Sequence, residues 1–258
     1  VKVGSYPATM TLGGKSVSIT FAISKYAASV TVDGVTTDYV SLDDAVTAAN
    51  AAKGATLKLL SDISTVNTVA ITGDVILDLN GHKLSNGDRA AIDIASGAKL
   101  TVNDSVSGGS IYGEVPIGIF TGGAIINKGT LVLNGGVLSA GGTNTPCSVV
   151  NSGSFVMNGG ELRGKNSLAA STGSVTFNGG KVSAKMAVTG GTMVFNDGDF
   201  TALDSVNGYI RGADVTIYGG TFGSLNLSAP GATVNIYGGT FNLFSVTMKK
   251  MGLETTFL

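Results

Sequence analysis

The chain has 258 residues and a formal net charge of −1, and only 13% of its residues are charged. Its 16 lysines and arginines form no dense cluster, which argues against nucleic acid as a partner. The single cysteine, Cys147, excludes an internal disulfide and a Cys-based zinc site, and the chain has no run of 18 apolar residues, so we predict no membrane insertion. The 39 glycines and the absence of tryptophan are typical of an all-β repeat protein, and we predict neither a metal nor a cofactor.

The first 34 residues are predicted to form short strands, Ala8 to Leu12, Ser16 to Ile23 and Ser29 to Val32. Gly13-Gly14 and Asp33-Gly34 are typical hairpin turns between them. We interpret residues 1–34 as a small β segment, either the end of a preceding module or a lid.

A helix is predicted from Ser41 to Lys53, within a second segment, residues 35–60, that also contains a strand. Ser41 and Asp44 resemble a capping box, and Gly54 ends the helical pattern. The apolar positions of the helix fall on one face: Leu42, Ala45, Val46 and Ala49. We expect this helix to cover the first coil of the repeats that follow, because an open end exposes apolar side chains and unpaired strand edges.

A short strand phrase followed by paired glycines, or by Asp197-Gly198 in one copy, recurs along the rest of the chain. The copies are Leu131 to Gly136, Phe155 to Gly160, Val175 to Gly180, Met193 to Gly198, Val215 to Gly220 and Val234 to Gly239. Their Asn or Tyr positions are 134, 158, 178, 196, 218 and 237, so the successive steps are 24, 20, 18, 22 and 19 residues. Steps near twenty residues predict a β-solenoid, in which each coil buries its apolar face against its neighbours.

Earlier copies of the phrase place the start of the solenoid upstream. Counting from Asn80, the steps to Asn103 and then to Asn134 are 23 and 31 residues, and the long step predicts an insertion within residues 113–123. We predict a solenoid of about nine coils over residues 61–243. Residues 244–258 are predicted to form a C-terminal cap or tail.

Alternation assigns the first and third residues of each copy to the interior. The inward pairs are Leu131 and Leu133, Phe155 and Met157, Val175 and Phe177, Met193 and Phe195, Val215 and Ile217, and Val234 and Ile236. A second inward column is predicted after the glycines, at Leu138, Leu162, Val182, Phe200, Phe222 and Phe241.

The repeated asparagines are expected to stack as an amide ladder between coils, because each amide both donates and accepts hydrogen bonds. The predicted members are Asn80, Asn103, Asn134, Asn158, Asn178 and Asn196. Tyr218 and Tyr237 take the same position in the last two copies, which predicts one aromatic stack there. A second column is predicted at Asn127 and Asn151, followed by Ser171.

The outward middle position of the phrase is often apolar. These residues are Val132, Val156, Thr176 and Val194. An apolar outer stripe indicates cover, and two alternatives stay open: the chain's own insertion covers the stripe, or the stripe is a binding surface. The aromatic candidates for contact with a sugar on the later coils are Tyr209, Tyr218 and Tyr237.

The candidate catalytic residues are Asp197, Asp199 and Asp204, because a glycosidase needs two suitably spaced carboxylates, and the same set is a candidate calcium site. Asp199 also continues an outward column of alternating charge with Glu161 and Lys181, which favours a surface charge ladder instead.

The only histidine, His82, is expected on the surface beside Asp78. That pairing is too common to indicate catalysis.

Three stretches and the later repeats carry a resemblance to a known family. The stretches are Val40 to Ala45, Thr56 to Asp62 and Val75 to Leu84, and the later Asn-Gly-Gly and Tyr-Gly-Gly-Thr-Phe copies extend the likeness over about residues 39–241. This part of the chain resembles bacterial surface proteins of the pectin-lyase-like superfamily. The resemblance implies a right-handed parallel β-helix in large secreted or wall-attached proteins, where such regions serve as stalks or adhesive modules. It also implies a superfamily that handles polysaccharides.

The enzymes of that superfamily are matched poorly. Their lyases use an acidic calcium cluster with an arginine base, yet none of Arg89, Arg163 and Arg211 lies beside a dense set of carboxylates in the sequence. The Asn-Thr-Asp and Asp-Asp arrangements of the hydrolases are absent from the repeat strands, since Asp43-Asp44 belongs to the helix.

We therefore predict a non-catalytic extracellular structural or adhesive segment of a larger bacterial surface protein, with a polysaccharide or a host surface glycoprotein as partner. The alternatives are a polysaccharide lyase or glycoside hydrolase that acts in a groove on the side of the helix, and a phage tail-spike-like trimeric fibre. We expect an extracellular or cell-surface location, with the signal peptide and wall anchor outside this sequence. The sequence does not indicate an oligomeric state.

Overall fold

The structure, a computed structural model, describes residues 4–23, 25–115, 123–142, 146–203, 208–228 and 232–247. Alternating apolar and polar residues form short strands that pair in parallel with the coils before and after them. The described part of the chain is an all-β solenoid of about eight turns with one short helix. The predicted parallel solenoid is confirmed, with about eight turns against the nine that we predicted.

In chain order the elements are β1 (Gly4–Leu12), β2 (Lys15–Ile23), β3 (Ala28–Val32), β4 (Val35–Tyr39), α1 (Leu42–Ala51), β5 (Ala55–Leu59), β6 (Ile63–Thr65), β7 (Val69–Ile71), β8 (Asp74–Asp78), β9 (Lys83–Asn86), β10 (Ile92–Ile94), β11 (Lys99–Asn103), β12 (Ser110–Val115), β13 (Gly123–Asn127), β14 (Thr130–Leu133), β15 (Val137–Gly142), β16 (Cys147–Asn151), β17 (Ser154–Met157), β18 (Glu161–Gly164), β19 (Asn166–Ala170), β20 (Ser174–Phe177), β21 (Lys181–Val182), β22 (Lys185–Val188), β23 (Thr192–Phe195), β24 (Asp199–Phe200), β25 (Gly208–Arg211), β26 (Asp214–Ile217), β27 (Thr221–Ser228), β28 (Val234–Ile236) and β29 (Thr240–Thr247).

The strands form three faces around a common core. The first face carries the repeat phrase and orders its strands β28-β26-β23-β20-β17-β14-β11-β8-β5, followed by β3 and β4. The second face runs from β6 through β9, β12, β15, β18 and β21 to β24, and the third from β7 through β10, β13, β16, β19 and β22 to β25. The long strand β27 pairs with both β24 and β25, so it joins the second and third faces, and β29 pairs with β27.

Two hairpins precede the solenoid. β1 and β2 pair only with each other in the described part of the chain, around a turn in which Gly13 and Gly14 have positive φ as a tight hairpin requires. β3 pairs antiparallel with both β4 and β5, so the second hairpin extends the first face. Its turn at Asp33-Gly34 therefore joins the predicted segments 1–34 and 35–60 within a single sheet.

Helix α1 covers the N-terminal end of the solenoid. The Ser41 hydroxyl accepts a hydrogen bond from the Asp44 backbone N–H, as in the predicted cap. The Asn50 side chain joins the helix to the first coil: its Nδ2 donates to the Ala70 carbonyl, and its Oδ1 accepts from the backbone N–H groups of Thr72 and Gly73. The residues predicted for the apolar face are buried: Leu42, Ala45, Val46 and Ala49. The predicted capping helix is confirmed.

The buried columns stack like on like. The ring of Phe177 lies 5.2 Å from that of Phe195, and Phe200 lies 4.8 Å from Phe222, both pairs being nearly parallel. Phe195 also meets Phe200 edge-on at 5.1 Å, so the two predicted inward columns interlock. At the last coil, Ile236 is 40% exposed whereas Ile217 is fully buried, because no described strand stacks on the far side of β28.

Paired glycines allow the coils to approach closely at the turn between the first and second faces. Gly160 has φ +77, and a Cβ added there would lie 2.6 Å from the Gly136 carbonyl oxygen. Glycine is needed at this position for both its left-handed backbone and its lack of a side chain.

The long step of 31 residues between Asn103 and Asn134 is explained in part by a longer turn after Asn103. In this turn six residues, 104–109, separate Asn103 from Ser110. In the next coil only two residues, 135–136, separate Asn134 from Val137, the residue that pairs with Ser110. Part of the insertion therefore lies at this turn, earlier than predicted. Residues 116–122 of the predicted insertion, and residues 248–258 of the predicted tail, lie outside the described residues.

Replacing a ring of the aromatic column tests the core. Phe195→Ala should lower the free energy of unfolding by about 3–5 kcal/mol, because it removes contacts with Phe177, Phe200 and Phe222. Val194→Ala, at the neighbouring outward position, should cost about 1 kcal/mol or less. Urea unfolding of both variants measures the difference, and equal losses would contradict the assigned interior.

Candidate functional site

A continuous amide ladder runs along the edge of the first face. Each Nδ2 donates to the Oδ1 of the coil before it, at 2.7 to 2.8 Å, and four such bonds connect five residues. The members are Asn103, Asn134, Asn158, Asn178 and Asn196. The last four are exposed, so the ladder forms a continuous row of polar side chains on the outside of the solenoid.

Asn80 is not part of this ladder, and its assignment from the sequence was wrong. The strand register pairs Asp78, not Asn80, with Asn103. Asn80 lies in the following turn with φ +52, where its Nδ2 donates to the Leu59 carbonyl. The apolar alternation of Val75 and Leu77 indicates this register. The prediction instead matched the Asn80-Gly81 dipeptide to the Asn-Gly pairs of the later copies.

Asp78 is buried at the ladder position and is held by its own hydrogen bonds. Its Oδ1 accepts from the backbone N–H groups of Asn80 and Ser105, and its Oδ2 accepts from the Ser105 hydroxyl. Burial acts to raise the pKa of Asp78, but these bonds and the charge of Lys58 outweigh burial and lower the pKa below its ordinary value. Asp78 therefore has a structural role in the turn.

A second asparagine column lies at the corner between the third and first faces. Asn127 Nδ2 donates to Asn151 Oδ1 at 2.6 Å, and both side chains are buried. The next residue in this column is Ala170, because the register pairs Asn151 with Ala170; the predicted Ser171 is one residue further along. This column is therefore shorter than the outer ladder.

The outward stripe forms one straight row on the first face. The register pairs Val132 with Val156, Val156 with Thr176, and Thr176 with Val194. All four side chains are half-buried by their flanking neighbours and reach the surface. Cover by the insertion stays a prediction, since residues 116–122 lie outside the described part.

A row of hydroxyl side chains, which sequence reasoning missed, lies on the other side of the stripe. It consists of Thr130, Ser154, Ser174 and Thr192, and the same register that aligns the stripe aligns these residues. The hydroxyls of Ser154 and Ser174 are 3.2 Å apart and share a hydrogen bond. The signal was present, since each residue directly precedes an inward position of the phrase.

Tyr218 and Tyr237 continue the line of the ladder as one aromatic stack. Their ring centroids are 5.1 Å apart and their planes differ by 11°, while their exposed fractions are 56% and 67%. In a parallel stack between neighbouring coils, the ring faces point along the solenoid axis. The ring edges and hydroxyls are then presented on the side of the solenoid. The side chain of Tyr209 lies outside the described residues.

The candidate catalytic carboxylates are engaged in local contacts. Asp197 accepts a hydrogen bond from the Gly198 backbone N–H. Asp199 accepts from the hydroxyl and the backbone N–H of Thr201, and these bonds, with the nearby charge of Lys181, lower the pKa of Asp199. A general acid needs a raised pKa, so this environment does not favour that role. Asp204 lies outside the described residues.

The predicted charge column is present on the second face. The register pairs Glu161 with Lys181 and Lys181 with Asp199, and Lys181 Nζ lies 3.7 Å from Asp199 Oδ2. Glu161 bonds instead to Arg163 and Ser183. The pair of Lys181 and Asp199 is largely exposed and contributes about 0–1 kcal/mol to stability.

His82 and Cys147 lie apart from these rows. His82 Nδ1 lies 3.2 Å from Asp62 Oδ1, so its acidic neighbour is Asp62 rather than the predicted Asp78. Cys147 is buried, and burial raises the pKa of its thiol to about 11, so the thiol is protonated at neutral pH.

The described ranges contain no group of three or more side chains suited to holding a metal ion. Within the same ranges no helix has the length and hydropathy that crossing a membrane requires.

Comparison with protein-family models, with curated proteins and with solved structures gives no match to this chain. The parallel β-solenoid is therefore established by the structure, and the likeness to pectin-lyase-like surface proteins stays a prediction.

Removing one member tests the ladder. Asn158→Ala deletes the bonds to Asn134 and Asn178 and should lower the free energy of unfolding by about 1–2 kcal/mol, because each hydrogen bond contributes about 1 kcal/mol net. Asn67→Ala replaces an exposed asparagine outside the ladder and should change the free energy of unfolding by about 0.5 kcal/mol or less. Urea unfolding gives both values, and an unchanged stability in Asn158→Ala would count against a continuous ladder.

The buried carboxylate predicts a pH dependence. Because the pKa of Asp78 is lower in the folded chain than its ordinary value of 3.8, its stabilising contribution is present above that pH and is lost as the pH falls through the folded value. Asp78→Asn should therefore lower the free energy of unfolding by about 1–3 kcal/mol near neutral pH, and the difference from the parent should shrink in acid. Urea unfolding across pH, with the exposed Asp88→Asn as control, measures this, and a difference that grows in acid would refute it.

Proposed function

We propose that this chain is a non-catalytic structural and adhesive segment of a larger bacterial surface protein, built on a pectin-lyase-like parallel β-helix. In this function the solenoid spans distance as a stiff element, and its side presents a repeating surface to a polysaccharide. The proposal includes an extracellular or cell-surface location.

The observation that carries the proposal is the continuity of the outer rows from coil to coil. The same register that stacks the Phe177 and Phe195 rings inside aligns the ladder and the stripe outside. A surface of this kind repeats one contact along its length, which suits binding to a repeating polymer. An enzyme instead needs a single active site, whose residues differ from those at the equivalent positions of the other coils.

The local chemistry of the carboxylates supports a role without catalysis. Asp199 is held ionised by Thr201 and Lys181, and Asp197 is bonded to its own turn. A general acid needs a raised pKa, whereas the pKa of Asp199 is lowered. The lyase or hydrolase alternative therefore has no observation in its favour among the described residues.

A polysaccharide panel tests the proposal. We expect the chain to be retained on at least one immobilised polysaccharide without producing new reducing ends or unsaturated sugars. The variants Asp197→Asn and Asp199→Asn should be retained equally well, because these carboxylates do not act on the polymer. Cleavage that is lost in either variant would overturn the non-catalytic assignment.

A further inference from the structure

The outer surface of the first face carries an uncharged array between β14 and β23. We call it the neutral grid, and it consists of Thr130, Val132, Asn134, Ser154, Val156, Asn158, Ser174, Thr176, Asn178, Thr192, Val194 and Asn196. The strand register arranges these twelve residues as three rows of four, one residue of each row in each coil. The hydroxyl row is bounded by charge at both ends, where Lys99 pairs with Thr130 and Asp214 pairs with Thr192.

The three rows differ in chemistry across the grid. The middle row consists of three valines and Thr176, whose side chains are half-buried and reach the surface. The hydroxyl row lies on one side of it, and the amide ladder lies on the other. In the ladder, each of Asn134, Asn158 and Asn178 uses one N–H of its Nδ2 and one lone pair of its Oδ1. Each amide therefore keeps a second N–H and a second lone pair for an outside partner.

This pattern matches the shape of a β-1,4-linked sugar chain whose hydroxyls are equatorial. Such a chain is a ribbon with apolar C–H groups on its two faces and hydroxyls along its two edges. A ribbon that lies along the middle row puts one C–H face on the methyl groups and brings its edges to the hydroxyl row and to the amide ladder. The rows repeat about every 4.8 Å, the spacing of neighbouring strands, and a β-linked hexose chain advances by a closely similar distance per sugar.

We propose that the neutral grid binds one extended chain of a neutral β-linked polysaccharide, aligned with the solenoid at one sugar per coil. This rests on the proposed adhesive function and specifies its ligand class and its surface. The grid has no lysine or arginine to pair with the carboxylates of an acidic polysaccharide. An α-1,4-linked glucan coils away from a straight line and would meet only one or two coils.

Oligosaccharides of defined length test the register between sugar and coil. Titration of the full chain with β-1,4-linked gluco-oligosaccharides of two to six sugars should show affinity that rises to four sugars and then levels off, because the grid spans four coils. α-1,4-linked gluco-oligosaccharides and oligogalacturonates of the same lengths should bind at least about tenfold more weakly. Equal binding of either class, or no binding of the β-linked series, would overturn the proposal.

Two variants locate the surface. Val156→Lys and Thr176→Lys each place a charge in the middle row and should weaken binding of the four-sugar ligand by about tenfold or more, because the apolar contact is lost and a charge is desolvated. Val150→Lys makes the same change at a half-buried outward position of the third face and should leave binding unchanged. Cooperative urea unfolding of all three variants shows that they fold.

The outcomes separate this inference from the proposed function. A chain that is retained by a polysaccharide equally well with Val156→Lys and Thr176→Lys would refute the grid as the binding surface and leave the adhesive function in place. Cleavage of a bound polysaccharide that is lost in Asp197→Asn or Asp199→Asn would refute the proposed function. Loss of binding in both grid variants but not in Val150→Lys would support the inference.

Discussion

The in-register stacking of parallel strands is the constraint on which the rest of the structure depends. Because neighbouring coils pair residue by residue, each side chain meets its counterpart one coil away, and each column needs a residue that packs well on itself. Phenylalanine inside, asparagine at the corner and glycine at the turn each meet this requirement in a different way. The interior and the outer rows are therefore two consequences of one register.

The ends of the solenoid show what the register requires when a neighbour is missing. At the N-terminal end, α1 and the β3–β4 hairpin supply apolar contacts and backbone partners, and Asn50 satisfies the polar groups of the first coil. At the last described coil the inward Ile236 is partly exposed, although its equivalent Ile217 is buried. The proposed binding surface lies between these ends, where the coils repeat most regularly.

The sequence was sufficient for the fold because the repeat encodes the same facts several times. Alternation, the paired glycines and the steps near twenty residues all indicated stacked coils, and the inward columns, the capping helix and the ladder from Asn103 to Asn196 followed from them. The assignment from the sequence was wrong by two residues at Asn80 and by one at Ser171, because the strand register, and not the residue type, decides which side chains are neighbours. It could not give the partner of His82, because Asp62 meets it only through the closure of a coil. The hydroxyl row was visible in the sequence, but its meaning depends on having all three rows side by side.

The strand register itself can be measured by NOE spectroscopy of the isotope-labelled chain. Parallel in-register pairing predicts NOEs between backbone protons of Val156 and Thr176 and of Thr176 and Val194, residues that lie 20 and 18 positions apart, with the same offset continued along each pair of strands. Offsets that run in opposite directions along paired strands would mean antiparallel pairing. That result would contradict the solenoid, the ladder and the binding surface together.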